Sequence, residues 1–194
     1  MRFPTPIAIG FAALGLCQAS VAQAPARVQK PDTPALAQWR ARVPAIQKTL
    51  EAGSEANCRG APAPGIVDAY GLSTDQLSVA LVDYCSGGAY TDSLVPMLLD
   101  RGRPVQAHFR DSKGKYIQTE FVSGASVMHS RAAKLVADKK AIFDEFTESD
   151  DQGKIASCDV KAYVWNAHSR TFDLNLPLSK SASSEYCLRM RAGQ

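Results

Sequence analysis

The stretch from Cys158 to Cys187 constrains this chain most. It opens Cys158-Asp159-Val160-Lys161-Ala162-Tyr163-Val164-Trp165. Strand side chains alternate between faces, so Val160, Ala162 and Val164 share one side, and Asp159, Lys161, Tyr163 and Trp165 share the other. Asn166-Ala167-His168-Ser169-Arg170 reads as a polar turn. Thr171-Phe172-Asp173-Leu174-Asn175-Leu176 then alternates again, with Phe172, Leu174 and Leu176 together. This is the pattern of a β-hairpin with one buried face. Pro177 ends the pairing. The serine-rich tail from Leu178 to Tyr186 brings Cys187 back beside Cys158, as a third strand or an adjacent loop.

What those cysteines mean depends on the compartment. Arg2 gives a short positive start, Ile7 to Leu16 is a small apolar run, and Ala22-Gln23-Ala24 supplies a small-x-small cleavage pattern. This is a secretory signal peptide over residues 1–24, too short to span a bilayer. Cys17 is not a lipoprotein cysteine, because Leu16 stands where a small residue is required. Cleavage after Ala24 leaves 194 − 24 = 170 residues, and loss of Arg2 takes the net charge from +3 to +2. A charge so near balance gives no support for a nucleic-acid partner, and no later stretch is long and apolar enough to cross a membrane.

Cys58, Cys85, Cys158 and Cys187 remain, an even number in an exported chain, which argues for two disulfides. Four cysteines permit three pairings. Cys58–Cys85 and Cys158–Cys187 are favoured because each brackets a local strand unit, and each closes a loop of just under thirty residues, contributing roughly 3–4 kcal/mol in the chain-entropy model. Zinc is disfavoured: there is no Cys-x-x-Cys, and no histidine stands at ligand spacing from a cysteine.

Residues 25–34 hold three prolines and read as a flexible leader. A single domain over residues 35–194 follows. Thr33-Pro34 is a helix cap, and Leu36, Trp39, Val43, Ile46 and Leu50 form one apolar stripe, broken by Pro44 and stopped by Gly53. Trp39 reads as a core anchor. Gly60 to Gly65 is a loop. Leu77 to Cys85 is apolar on both faces and reads as a central strand. Leu94 to Leu99 contains Pro96 and reads as an edge strand. Val105 to Phe109 and Tyr116 to Val122 flank Asp111-Ser112-Lys113-Gly114-Lys115 as a second hairpin with a basic, solvated tip. Residues 126–146 fit either a helix or two short strands turning at Asp138-Lys139-Lys140.

No catalytic motif stands out. His108, His129 and His168 are scattered, and nothing matches a nucleophile elbow, a phosphate loop or a dinucleotide fingerprint. The stretch from Glu148 to Asp159 approaches an EF-hand loop, with Glu148, Asp150, Gln152 and Asp159 as a weak calcium set. Its first ligand is Glu instead of Asp, and its last is the shorter Asp159. Tyr84, Tyr90, Tyr163 and Trp165 are candidates for aromatic contact area on one sheet face, with core packing as the other use of such residues.

Cys85-Ser86-Gly87-Gly88-Ala89-Tyr90, followed downstream by Cys158, Tyr163-Val164-Trp165, Phe172-Asp173-Leu174 and Cys187, resembles a family of bacterial exported domains known as domain of unknown function eleven seventy-six. The resemblance covers roughly residues 77–187. It implies a periplasmic or secreted protein and strands around Ile142 to Phe146, and it implies no activity. The chain is therefore expected to be an α+β domain, mainly an antiparallel sheet with a short N-terminal helical region and two disulfides. The expected function is a non-enzymatic binding module with a macromolecular partner in the cell envelope and no cofactor. The alternatives are an envelope hydrolase assembled from distant residues, and a calcium-stabilised module.

Overall fold

A computed structural model describes residues 33–53, 62–72, 77–84, 91–126 and 128–193. The sequence-expected caps are where helix physics puts them. Thr33 Oγ1 accepts from Leu36 N at 3.2 Å, and Pro34 follows inside helix α1 (Pro34–Arg40). Pro44 restarts the chain as α2 (Val43–Ala52), which ends at Gly53. Trp39, Ile46 and Leu50 are fully buried.

The remaining chain is mainly antiparallel sheet. The strands are β1 (Gly65–Leu72), β2 (Leu77–Asp83), β3 (Thr91–Asp100), β4 (Arg103–Gln106), β5 (Phe109–Arg110), β6 (Tyr116–Ile117), β7 (Phe121–Ala125), β8 (His129–Val136), β9 (Ala141–Ser149), β10 (Ile155–Asn166) and β11 (Thr171–Leu174), before helix α3 (Leu176–Arg191). Among the described residues the order is β1-β2-β3-β7-β8-β9-β10-β11-β5-β6, with β4 also on β3. The β11–β5 pair is parallel. The ambiguous region is two strands, β8 and β9, joined by a 3-10 turn at Ala137–Lys139.

Three expectations need correction. Gly65 opens strand β1 and does not close a loop. The segment around Pro96 is not an edge. β3 pairs β2 on one side, and on the other it pairs β7 through Leu94 and β4 from Met97. Pro96 lies at the handover between those two ladders, between the last paired residue of each, and its carbonyl accepts from Ala107 N at 2.9 Å. Residues 103–106 belong to a hairpin with β3, not to the one with the basic tip. The β3–β4 turn places Arg101 and Gly102 at φ 50° and 80°, the left-handed pair that a two-residue hairpin demands.

Two hairpins share one turn chemistry. In Asp111-Ser112-Lys113-Gly114-Lys115 and in Asp150-Asp151-Gln152-Gly153-Lys154, the leading Asp Oδ1 accepts two backbone N–H groups at 2.8–3.0 Å. The glycine of each takes positive φ, 79° and 76°.

The sheet coils until its concave face meets itself. One core cluster joins Tyr70, Val79 and Leu81 from β1 and β2 with Phe109, Tyr163 and Phe172 from the other end of the strand order. On the convex face, Trp39, Ile46 and Leu50 cover Ala80, Val82 and Met97. Farther along, Ala182 and Tyr186 of α3 cover Phe143, Val160 and Ala162. β2 is thus buried on both faces, as its sequence requires. Trp39 also anchors by polarity, its Nε1 donating to Ser78 Oγ at 3.0 Å.

Buried charges are paired. Arg131 makes two bonds to the buried Asp144, at 2.8 and 2.7 Å. Glu145, also buried, meets Lys134 and, at 3.7 Å, Arg189 of α3. At the parallel β11–β5 junction, Arg110 grips Asp173 at 2.8 and 2.5 Å, with Asn166 and Thr171 donating to the same carboxylate. These donors, the Arg110 guanidinium first, hold the Asp173 carboxyl down at about 2.

The tail after Pro177 is neither a strand nor a loop; it is α3. Asn175 caps it, its Oδ1 accepting from Leu178 N at 2.9 Å, and Pro177 fits the first turn. β11 pairs only Tyr163 to Asn166 of β10, leaving the earlier part of that edge without a strand. α3 fills the gap with side chains. Ala162 N donates to Ser179 Oγ at 2.9 Å and Val160 N to Ser183 Oγ at 2.8 Å, while Asn175 N donates to Ala162 O at 2.9 Å. Cys187 closes the series with its disulfide to Cys158, Cα–Cα 5.6 Å. Four helical residues rise about 6 Å and two strand residues about 6.6 Å, so helix positions 179, 183 and 187 stay in step with strand positions 162, 160 and 158. Cys58 and Cys85, the other expected pair, lie outside the described residues.

Three outcomes are expected. Ser183→Ala leaves the N–H of the buried Val160 unsatisfied, a cost of about 1–3 kcal/mol, offset by about 0.5 kcal/mol of better helix propensity. Replacing both Cys158 and Cys187 by Ser should cost roughly 2–5 kcal/mol. Urea unfolding at neutral pH measures both, and an unchanged midpoint for Ser183→Ala would show that water serves that edge equally well. The third outcome concerns pH. The Asp173 carboxyl is depressed on folding, so its contribution is full above about 4 and fades as pH falls towards about 2. Asp173→Asn should therefore be less stable than the parent at pH 7, and the difference should shrink through that window. A difference that is the same at pH 7 and pH 2 would assign the effect to hydrogen-bond geometry alone.

Candidate functional site

Among the described residues, the sequence-nominated side chains do not gather in one site. Tyr84 is 2% exposed under the N-terminal helices, and Tyr163 is 3% exposed in the concave core. Both supply core area, on opposite faces of the sheet. Trp165 is half-buried against Phe172, and Tyr90 lies outside the described residues. The phenol of Tyr70, raised well above its ordinary range by burial, is also a core group.

The calcium candidates separate. Asp150 Oδ1 is committed to the turn amides. Glu148 accepts from Ser157 Oγ at 3.1 Å across the hairpin, and Asp159 accepts from Ser183 Oγ at 2.8 Å. Among the described residues, no three His, Cys, Asp or Glu side chains converge to hold a metal ion. The histidines also stand apart: His108 meets the Tyr116 ring edge-on and His129 stacks on Phe146. Melting in millimolar calcium and in chelator should coincide, because a ligand specific to the native state would have to raise stability. A calcium-dependent rise would overturn this reading of the loop.

A concavity among the described residues lies where α3 covers the β10 edge. It is a groove of about 780 Å³ whose walls include Val160, Leu174, Leu176 and Leu188, with Lys161, Lys180 and Arg191 on its rim. Leu176 is 56% and Leu188 70% exposed. Twelve residues apart on one helix, they stand about 18 Å from each other along its axis. Asp159 and Lys161 also line a second hollow of about 210 Å³ on the concave face, with Arg131, Asp144 and Phe146. There the charges neutralise each other through the Arg131–Asp144 pair.

None of Lys161, Lys180 and Arg191 forms an ion pair among the described residues. Sequence reasoning missed Leu176, Lys180, Leu188 and Arg191 as a group because it carried the strand pattern past Asn175. The signal was present: Asn175-Leu176-Pro177 is a helix start, and Ser179, Ser183 and Cys187 recur every four residues. No protein-family model, no curated protein and no solved structure matches this chain.

Proposed function

We propose that the protein is an exported, non-enzymatic binding module of the bacterial cell envelope, periplasmic or secreted, and that it holds a macromolecular partner along the groove between α3 and β10. The groove carries this reading. Of five exposed large hydrophobic side chains among the described residues, two, Leu176 and Leu188, line this one concavity. Exposed apolar area gathered beside unpaired charge is what recognition surfaces present. The compartment rests on the signal-like N-terminus and on a disulfide, which persists in oxidising surroundings. No described helix is long and apolar enough to cross a membrane. The likeness to domain of unknown function eleven seventy-six belongs to the same proposal and adds no activity to it.

The test is capture from envelope extract. The purified protein should retain a partner that Leu176→Asp and Leu188→Asp lose at unchanged melting temperature. Retention by both variants would remove the groove from the function. The N-terminus of native protein should be Pro25, and intact Met1 on protein from cytosol would refute export.

A further inference from the structure

We infer that the occupant of this groove is an acidic amphipathic helix of a partner protein, held through side chains alone. This rests on the binding-module reading above and names the partner's chemistry. The first argument is charge. Lys161, Lys180 and Arg191 with Asp159 give the groove 3 − 1 = +2. Lys134 and Arg189 nearby are pinned on the buried Glu145 and serve the fold, whereas the three groove cations have no ion pair among the described residues. They are placed to meet carboxylates flanking an apolar stripe.

The second argument excludes strand addition. A peptide that extended the sheet here would need the free N–H and C=O groups of the β10 edge. Val160 N, Ala162 N and Ala162 O are already bonded to Ser183, Ser179 and Asn175. With the edge closed, the groove offers Leu176 and Leu188 as apolar contacts about 18 Å apart. That spacing suits a helix laid along α3 with apolar residues on one stripe and acids on its flanks.

Two other occupants fit the charge poorly. A second copy would bring one +2 groove against another. The chain's own leader, residues 25–32 after cleavage at Ala24, carries Arg27 and Lys30 against Asp32, 2 − 1 = +1, which is also of the wrong sign.

The test uses the purified protein and two synthetic helical peptides. Both carry leucines on one face; one has glutamates on the flanks and the other lysines. By fluorescence anisotropy the acidic peptide should bind at least about tenfold tighter, and added salt should weaken it. The Lys180→Glu, Arg191→Glu double variant should reverse the preference. Leu188→Ser should weaken the acidic peptide by about tenfold without changing the order of the two, since it removes apolar contact alone. Melting curves confirm that the variants stay folded. Equal binding of both peptides would overturn the proposal, as would binding of anionic vesicles or Leu188-dependent self-association in place of peptide binding. If neither peptide binds while a groove-dependent partner is still captured from envelope extract, the acidic helix is wrong and the binding module stands. If both fail, both readings fall.

Discussion

The fold depends on how one strand edge is closed. β10 is the longest strand and pairs β9 along nearly its whole length, but its other edge meets a strand only at its C-terminal end. An open edge of that length exposes backbone donors to any passing chain. α3 closes it without adding a strand. Serine hydroxyls at four-residue intervals reach backbone groups at two-residue intervals, and the Cys158–Cys187 bond fixes the register at the far end. The near-equality of the two rises makes this work over about two turns. Pairing of this kind needs small polar side chains, which explains a helix with serine at positions 179 and 183 in place of leucine.

The groove is a consequence of the same arrangement. The buried face of α3, Ala182 and Tyr186, packs on the convex side of the sheet, where Tyr186 OH meets Thr147 Oγ1 at 2.7 Å. The serine line has to reach the strand edge, so the helix lies partly over it. Its flank through Lys180, Ser184 and Leu188 then overhangs the edge, and a hollow opens beneath, towards Asp159 and Lys161. Architecture and candidate site thus share one cause.

Charge is sorted by the same geometry. The buried carboxylates Asp144 and Glu145 are each met by an arginine or lysine, and the partly exposed Asp173 is met by Arg110. Desolvation makes an unpaired buried charge costly, so the fold has to do this. Cations on the overhanging flank face water and carry no such requirement.

How much was legible in the sequence follows the range of the forces involved. Local chemistry was readable. Thr33 and Pro34 announce a helix, Pro44 breaks it, alternation marks β10 and β11, and the bracketing of one hairpin by Cys158 and Cys187 anticipated their bond. What failed needed distant partners. Pro96 reads as an edge residue because its missing N–H is local, whereas the two strands that share β3's far side, β7 and β4, are set by chain topology. Tyr84 and Tyr163 read as possible surface, and only tertiary packing decides otherwise: the N-terminal helices bury the first and the coiling of the sheet buries the second. The tail at 178–186 lacks a strong apolar stripe, so its helix is fixed by what it caps and by the edge it closes. The sequence by itself determined the β10–β11 hairpin and the cap of the first helix, and it supplies the signal-like start on which the export proposal rests. Only the tertiary structure decided the strand order, the edge that α3 covers and the groove, because each of these is a contact between residues far apart along the chain.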